Sequence, residues 1–504
     1  DTLVGGAGRR AGAGEGAGTM SVPEGTIRIY NTLTRQKEPF ATIEPDTVRM
    51  YVCGVTPYDA AHIGHGMSMT VFDVIRRYLE HRGYAVRHVQ NFTDIDDKII
   101  ARANAEGIDP DDLTEGLIAQ WHAETAELNA LPATVYPRAT QEVGPIVAMI
   151  EGLIANGHAY EVEGDVYYKV RSFPDYGKLS GRDLDDLLSG ARIEIDERKA
   201  DPLDFALWKA AKPGEPSWES PWGRGRPGWH IECSAMSSTY LDGMVDIHGG
   251  GADLIFPHHE NEIAQSEAFL GRDPFARYWV HNGLVRLGGE KMSKSLGNFV
   301  RLRDILDRGL GPAFRLMVLQ GHYRAPLTYT EEGLLGAERG LERLRSAADP
   351  SAPSDSSTVQ GALGTGAPVG TEAPDLARAA AEADRRFHEA MDDDFNAPVA
   401  VAALFDLARA INRARAERSP DPGFEAARQK LVALAGVLGL VLDPVSNGGT
   451  GDAAPFIDLL LEVRAELRLA KQWAQADMIR DRLVELGVAV EDTPHGATWE
   501  RRRA

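Results

Sequence analysis

The spacing of apolar residues predicts a strand, a helix and a second strand near the start of the chain. An apolar run from Val48 to Val52 predicts a buried strand, and a Gly/Pro turn follows it. The segment MTVFDVIRRYLEHRG then places Val71 and Leu79 on one helical face, with Gly83 at the C-terminal cap. The second strand is AVRHVQNFTD. This order predicts an α/β fold whose parallel sheet binds ligands at the carboxyl ends of its strands.

Beyond this unit, the predicted secondary structure is first a mixture of helices and strands and then, toward the C-terminus, mainly helical. Residues 113–222 combine helices with a hairpin in EVEGDVYYKVRSF, and the sheet pattern resumes near Gly228, so we expect an insertion. Helical spacing dominates residues 328–445 and predicts a bundle. Within the bundle, residues 346–375 contain no Lys, Arg or aromatic residue, which predicts a flexible loop. The last module, residues 446–504, begins with the Gly-rich break SNGGTGDAA, continues with the helical pattern FIDLLLEVRAELRLAKQWAQADMIRDRLVELG and closes with VAVEDTPHGATWERRRA.

Composition and charge narrow the class of protein. The 504 residues predict about three domains, and 43% hydrophobic with 26% charged residues is typical of a soluble globular protein. No run of about 18 apolar residues occurs, so we expect no membrane partner. The net charge of −21 requires any nucleic acid to meet a local basic patch. Two cysteines, and a Gly/Ala-rich segment 1–25 without a signal-peptide core, predict a disordered extension and a cytoplasmic location.

Two short motifs carry candidate phosphate chemistry. His62-Ile63-Gly64-His65 opens the first predicted helix, where two imidazoles and the helix N-terminus suit a nucleotide phosphate. Taken alone, this motif is a weak signal, and a surface histidine pair is the better interpretation. The segment KMSKS, with Lys291 and Lys294, lies in a glycine-flanked loop at 288–298. Its ammonium groups suit a leaving pyrophosphate, whereas the alternative is a solvated Lys/Ser loop.

A third set of residues has the donor types of a zinc site. His258 and Glu262 are four residues apart on one predicted helix, Cys53 ends the first strand, and Cys233 lies far along the chain. Two thiolates, one imidazole and one carboxylate can hold zinc, although no CxxC pattern is present. His259 is a neighbour that could replace His258. Each cysteine alone could instead be a small buried hydrophobe.

Together these segments resemble the motif set of the cysteinyl-tRNA synthetase family, within the class I aminoacyl-tRNA synthetases. The matching segments are YVCGVTPYDAAHIGHG, NFTDIDDKI, GWHIECSAMS, DIHGGGADLIFPHHENEIAQSEA and KMSKSLGN. The resemblance implies a Rossmann-like catalytic domain over 26–327 with its insertion, then the helical bundle, then a small anticodon-binding module. It implies one zinc ion per chain. The implied ligands are Cys53, Cys233, His258 and Glu262.

The resemblance also implies a reaction. L-cysteine would be activated with ATP, accompanied by Mg²⁺, and transferred to the 3′ ribose of tRNA(Cys). The residues expected to stabilise phosphate charge are His62, His65, Lys291 and Lys294. The residues expected to bind ATP are Gly64, Gly249, Gly250, Asp253 and Lys294.

The implied zinc ion would also explain selectivity for cysteine. A metal binds the substrate thiolate but not a serine hydroxyl, whereas a missing methylene discriminates by only about 1–3 kcal/mol. We therefore expect no editing domain. Cys53 and Trp229 are expected to line the cysteine pocket, although a core position for Trp229 fits equally well.

The last module carries basic residues with interleaved aromatic residues, a composition that suits single-stranded bases. A plain helical surface fits the composition as well, and the resemblance favours anticodon recognition by Arg480, Asp492 and Trp499. An amino-sugar cysteine ligase of the mycothiol type would lack the tail at 452–504. A non-catalytic tRNA-binding paralogue should have lost a motif or a ligand, and none is lost. No heptad seam is present, so we expect a monomer.

Overall fold

The computed structural model divides the chain into two compact units, Asp1–Leu442 and Asp443–Ala504. The described residues are 26–184, 197–288, 290–291, 299–352, 375–417, 421–442, 454–485, 488–493 and 496–501. The expected N-terminal extension, most of the 346–375 loop and residues 292–298 of the KMSKS segment lie outside these ranges. The catalytic region and the helical bundle belong to the same unit.

The predicted β-α-β unit is confirmed. A short antiparallel pair, β1 (Arg28–Asn31) and β2 (Gln36–Pro39), precedes it. The unit itself is β3 (Thr47–Val55), α1 (Ile63–His81) and β4 (Ala85–Phe92), with β3 and β4 parallel. The α1 face that includes Val71, Ile75 and Leu79 is buried. Gly83, just beyond the helix, has φ +93°, a conformation that side chains with a Cβ rarely adopt.

The chain leaves the parallel sheet after Phe92 and rejoins it at Val245. Between these points it forms three helices: α2 (Asp97–Glu106), α3 (Pro110–Glu127) and α4 (Val143–Ala155). A four-stranded antiparallel sheet follows: β5 (Ala159–Val162), β6 (Asp165–Tyr168), β7 (Phe205–Ala210) and β8 (Gly225–Pro227). The hairpin predicted in EVEGDVYYKVRSF is confirmed as strands β5 and β6 of this antiparallel sheet. Helix α5 (Trp229–Tyr240) then leads back to the parallel sheet.

The parallel sheet has the strand order β10-β9-β3-β4. Its returning elements are β9 (Val245–Gly251), α6 (Glu260–Leu270) and β10 (Ala276–Asn282). Next come the three-stranded sheet β11 (Val285–Leu287), β12 (Glu290–Lys291) and β13 (Leu327–Tyr329), and the helices α7 (Leu302–Leu306) and α8 (Gly311–Leu319). Because β9 lies beside β3, the segments that carry the candidate metal ligands meet at one edge of the sheet.

In the part of the predicted bundle that the structure describes there are four helices: α9 (Glu331–Ala348), α10 (Leu376–Asp392), α11 (Ala397–Ala416) and α12 (Phe424–Val437). A buried ion pair connects the C-terminal end of the bundle to the catalytic region. The Arg315 guanidinium pairs with Asp73 of α1 and donates to the carbonyl oxygens of Leu438 (2.8 Å) and Leu128 (3.0 Å). Both charged side chains are at most 2% exposed.

Replacing Arg315 with Met is therefore expected to lower the free energy of unfolding by about 1–3 kcal/mol, because the carbonyl oxygens of Leu438 and Leu128 lose their buried donor. The Asp73 carboxylate loses one of two guanidinium partners and keeps Arg77, whose Nε is 2.7 Å away. Denaturant unfolding of the full chain measures this loss. The double variant Asp73→Asn with Arg315→Met should lose less stability than the sum of the two single variants, since the two side chains contact each other directly. A single variant as stable as the wild type would contradict a stabilising role for this pair.

The described residues of the second unit form two helices and a hairpin: α13 (Ala454–Leu469), α14 (Trp473–Glu485), β14 (Val488–Thr493) and β15 (Gly496–Arg501). Its core contains Ile457, Leu461, Leu483 and Val488. The sequence analysis predicted only helices here and missed the hairpin, although VAVEDT shows the alternation of a strand. Along the described ranges, none of the helices is both long enough and apolar enough to cross a lipid bilayer.

Candidate active site and metal centre

The two histidines of the first motif form the N-terminal cap of α1. His62 Nδ1 accepts from the backbone N–H groups of Gly64 (3.0 Å) and His65 (3.3 Å), and His65 Nδ1 accepts from the His62 N–H at 3.2 Å. The two rings stack with their centroids 3.8 Å apart. A neutral ring that accepts at Nδ1 carries its proton on Nε2, so each histidine can donate from Nε2. The helix N-terminus and these donors together favour an anion.

The glycines at the carboxyl end of β9 have close neighbours in the protein. A Cβ on Gly249 would lie 2.3 Å from the Phe72 ring, and one on Gly250 would lie 2.9 Å from the His259 ring. Packing of β9 against these rings therefore requires glycine at both positions. Asp253 follows in an exposed turn.

A cluster of four buried donors lies at the carboxyl end of β3. The ligand atoms of Cys53, Cys233, His258 and Glu262 all lie within 4.8 Å of one another. Glu262 Oε1 is 3.3 Å from Cys53 Sγ and 3.2 Å from His258 Nε2. Two sulfurs, one imidazole nitrogen and one carboxylate oxygen match the donor chemistry of a tetrahedral zinc site.

A second group shares two of these ligands. Cys53 and Glu262 also lie with His248 and His259 in a group of buried donor atoms within 4.8 Å of one another. Cys53 Sγ is 3.6 Å from His248 Nε2 and 3.3 Å from His259 Nε2. Glu262 Oε2 is 3.2 Å from His248 Nε2. The sequence analysis named His259 as an alternative but missed His248, whose place next to β3 follows only from the sheet register.

Burial sets the protonation of this cluster. It lowers the pKa of His258 to about 3, so the imidazole is neutral at pH 7 and has a lone pair for a metal. Burial, and then Cys233, raises the pKa of the Cys53 thiol well above its ordinary value. Burial alone would raise the pKa of Glu262, but His248 and His258 lower it. A bound cation would reverse the shifts of the thiols, because it favours thiolate.

Three family models match successive parts of the chain. They are the tRNA synthetases class I (C) catalytic domain at residues 39–339, the DALR domain at 386–443, and the cysteinyl-tRNA ligase anticodon binding domain at 450–499. The cysteine–tRNA ligase of Dehalococcoides mccartyi strain BAV1 is 53% identical, over 95% of this chain and 100% of that protein. The chain belongs to the cysteinyl-tRNA synthetase family.

Cysteine–tRNA ligases of other organisms are similar to the chain over nearly its whole length. The cysteine–tRNA ligases of Heliobacterium modesticaldum and Thermococcus onnurineus are 50% and 49% identical over 94% of this chain, and over 100% and 99% of their own lengths. Among solved structures, a methionyl-tRNA synthetase of Mycobacterium tuberculosis in complex with methionyl-adenylate is 16% identical. It matches with a TM-score of 0.52 over 78% of this chain and 89% of that one. That similarity supports the class I fold predicted from the sequence.

In this member of the cysteinyl-tRNA synthetase family, Trp229 lies beside the cluster of donor residues. Its ring centroid is 4.3 Å from that of His258, and the residue is 38% exposed. The alternative of a core tryptophan is therefore wrong. The exposed ring can contact a small ligand that reaches the cluster.

The KMSKS segment is described only at its start. Lys291 ends β12, where its backbone pairs with Arg286 of β11. The Lys291 side chain, and Lys294 entirely, lie outside the described part of the segment.

The predicted anticodon residues fall on three elements of the second unit. Arg480 lies on α14 with its side chain 43% exposed, and its guanidinium is 3.3 Å from Asp481. Asp492 pairs with Ala497 across the β14–β15 hairpin, and Trp499 pairs with Val490. Trp499 also packs against the small core of the unit, so it contributes to packing.

Proposed function

We propose that this chain activates L-cysteine with ATP and transfers the cysteinyl group to the 3′ end of tRNA(Cys). The main supporting observation is the position of two features that follow each other closely from the carboxyl end of β3 to the start of α1. Cys53, at the end of β3, belongs to the donor cluster, and His62, nine residues later, caps α1 with its own imidazole. Thiol-binding and phosphate-binding chemistry thus lie next to each other at the carboxyl edge of the sheet.

The proposed metal is one zinc ion held by Cys53, Cys233, His258 and Glu262. This set is favoured over the group with His248 and His259 because it offers two soft thiolates and lies beside the exposed ring of Trp229. When bound, zinc supplies a Lewis acid that stabilises the thiolate of the substrate. Serine cannot form this bond, so the site can select cysteine without an editing step.

The residues of the chain supply positioning and charge for adenylate formation. The cysteine carboxylate attacks the α-phosphorus of ATP, and pyrophosphate leaves, with no covalent enzyme nucleophile. His62 and His65 donate from Nε2 at the N-terminus of α1, and the proposed partners of the pyrophosphate are Lys291 and Lys294. Mg²⁺ accompanies ATP in this proposal. The proposed adenosine contacts are Gly64, Gly249, Gly250, Asp253 and Lys294.

The remaining proposals concern the partners. Cys53 and Trp229 line the cysteine pocket, and Arg480, Asp492 and Trp499 contact the anticodon. The acyl group passes to the tRNA 3′ ribose. The enzyme acts as a monomer in the cytoplasm, where its product is used in translation.

The first test is ATP–pyrophosphate exchange with each of the twenty amino acids, on protein of measured zinc content. Exchange is expected with cysteine alone and should disappear when a chelator removes zinc. Transfer of labelled cysteine to tRNA, and not to an amino-sugar, would then exclude the related ligase. Protein that holds zinc but shows no exchange would overturn the proposal in favour of a tRNA-binding paralogue.

A further inference from the structure

Three of the four proposed zinc ligands lie within hydrogen-bond distance of a histidine that is not itself in the proposed ligand set. The pairs are Cys53 Sγ with His259 Nε2 at 3.3 Å, Glu262 Oε2 with His248 Nε2 at 3.2 Å, and His258 Nδ1 with His230 Nδ1 at 2.9 Å. Outer partners of this kind orient metal ligands and tune the metal. Cys233, the fourth ligand, has no such histidine among the residues that the structure describes.

Asn91 is a polar neighbour of Cys233. Its side-chain amide cannot donate a hydrogen bond to the Cys233 sulfur. The Gly54 N–H donates to Asn91 Oδ1 at 2.9 Å, and Asn91 Nδ2 donates to the Thr93 hydroxyl at 3.4 Å. These contacts fix the orientation of the amide. Oδ1 therefore faces Cys233 Sγ at 3.6 Å. A carbonyl oxygen suits a thiol S–H but not a thiolate, which accepts hydrogen bonds.

A second polar group next to Cys233 is the hydroxyl of Tyr51. Tyr51 lies on β3 two residues before Cys53, so both side chains leave the same face of the strand. The residue is fully buried, and its oxygen has no hydrogen-bond partner in the described structure. The hydroxyl neighbours Cys233 and Cys53, and a phenol is protonated at neutral pH, so it can donate to a sulfur. A buried hydroxyl without a partner is costly unless it has a use.

We propose that Tyr51 is a positioning residue of the metal centre, whose hydroxyl donates a hydrogen bond to the Cys233 thiolate when the centre is loaded. The proposal rests on the proposed function in so far as Cys233 is a zinc ligand. On loading, the thiol proton of Cys233 leaves to solvent and Tyr51 retains its own proton. The O–H···S bond withdraws electron density from the sulfur. The sulfur then donates less to the metal, which becomes a better acceptor for the thiolate of the substrate.

The test is the variant Tyr51→Phe, which removes the hydroxyl and keeps the ring. Its zinc affinity, measured by competition with a chromophoric chelator, is expected to fall about 10- to 100-fold, because the buried Cys233 thiolate loses the donor that stabilises it relative to the thiol. In the cobalt-substituted protein the thiolate-to-cobalt charge-transfer band should shift to lower energy, because the unsupported thiolate is easier to oxidise. The shape of the d–d bands should be retained. A purely structural role would not move the charge-transfer band.

A matched control is Tyr168→Phe. Tyr168 is equally buried in the same core, and its hydroxyl donates to the Ala264 carbonyl oxygen at 2.9 Å rather than to a metal ligand. This control should bind zinc and cobalt like the wild type. If Tyr51→Phe fails to fold, Tyr51→His replaces it, since a ring N–H can donate to the same sulfur, and an intermediate zinc affinity is then expected.

The outcomes separate this inference from the proposed function. Wild-type affinity and an unshifted cobalt band in Tyr51→Phe would overturn the role of Tyr51, while cysteine-dependent exchange by the wild type would leave the proposed function intact. Wild-type protein that binds cobalt without a thiolate charge-transfer band would overturn both the ligand assignment and the role of Tyr51.

Discussion

Replacing Cys233 with Ser is expected to reduce bound zinc from one ion per chain to almost none, and to abolish cysteine-dependent exchange with it. A serine hydroxyl is a harder donor and does not ionise near neutral pH, so the site loses one of its two thiolates. Elemental analysis after gel filtration measures the metal. Exchange on the same sample measures activation. His88→Ala is a suitable control, because His88 is buried on β4 and belongs to neither group of donors.

The companion variant His248→Ala decides between the two groups of ligands. Cys53→Ser and Glu262→Gln are expected to lose zinc in either case, because both groups contain these residues. In His248→Ala the proposed set remains complete, and the contacts of His248 Nε2 with Glu262 (3.2 Å) and Cys53 (3.6 Å) are lost. Zinc should therefore remain near one per chain, with an affinity about 10- to 100-fold weaker. Zinc retained in Cys233→Ser and lost in His248→Ala would assign the metal to the other group.

These variants are needed because donor types can be predicted from the sequence but their arrangement cannot. Cys53, Cys233 and the HHEN segment lie on three separate elements, and the β3–β9 register and two helices bring them together. Neighbouring histidines, His258 and His259, both reach the cluster, since the turn before α6 presents both rings to it. No local pattern distinguishes them. His248 gave no signal at all, because a histidine in a buried strand has no spacing that links it to a distant cysteine.

Local features were predictable where the periodicity is strong. The β3-α1-β4 unit and the position of the histidine motif at the start of α1 follow from short-range spacing alone. The β14–β15 hairpin was missed because the closing segment VAVEDTPHGATWERRRA was assigned no secondary structure. The sequence could not show whether Trp229 belongs to the core, and only its exposure in the structure answers this question. The roles of Gly249 and Gly250 could not be predicted from the sequence either. A glycine that makes room for a protein side chain such as Phe72 or His259 looks the same in the sequence as one that makes room for a ligand.

The second large effect is expected at His62, where one side chain has two separable tasks. His62→Ala removes the cap of α1 and a donor at its N-terminus. The lost cap should cost about 1 kcal/mol of stability. The lost donor should slow adenylate formation about 100- to 1,000-fold, as does removal of one group that stabilises developing charge. Thermal unfolding and single-turnover pyrophosphate release measure the two effects.

His62→Asn separates these tasks, because an asparagine side chain accepts the cap hydrogen bonds but has no ring N–H at the position of Nε2. This variant should be nearly as stable as the wild type and nearly as slow as His62→Ala. Thr330→Ala provides the reverse control: it removes the N-cap of α9, where the Thr330 hydroxyl accepts from the Gly333 N–H at 3.0 Å, far from the phosphate site in sequence. That variant should lose stability without a loss of rate. A fast His62→Asn enzyme would reduce His62 to a helix cap and leave the phosphate charge to His65 and the lysines of the KMSKS segment.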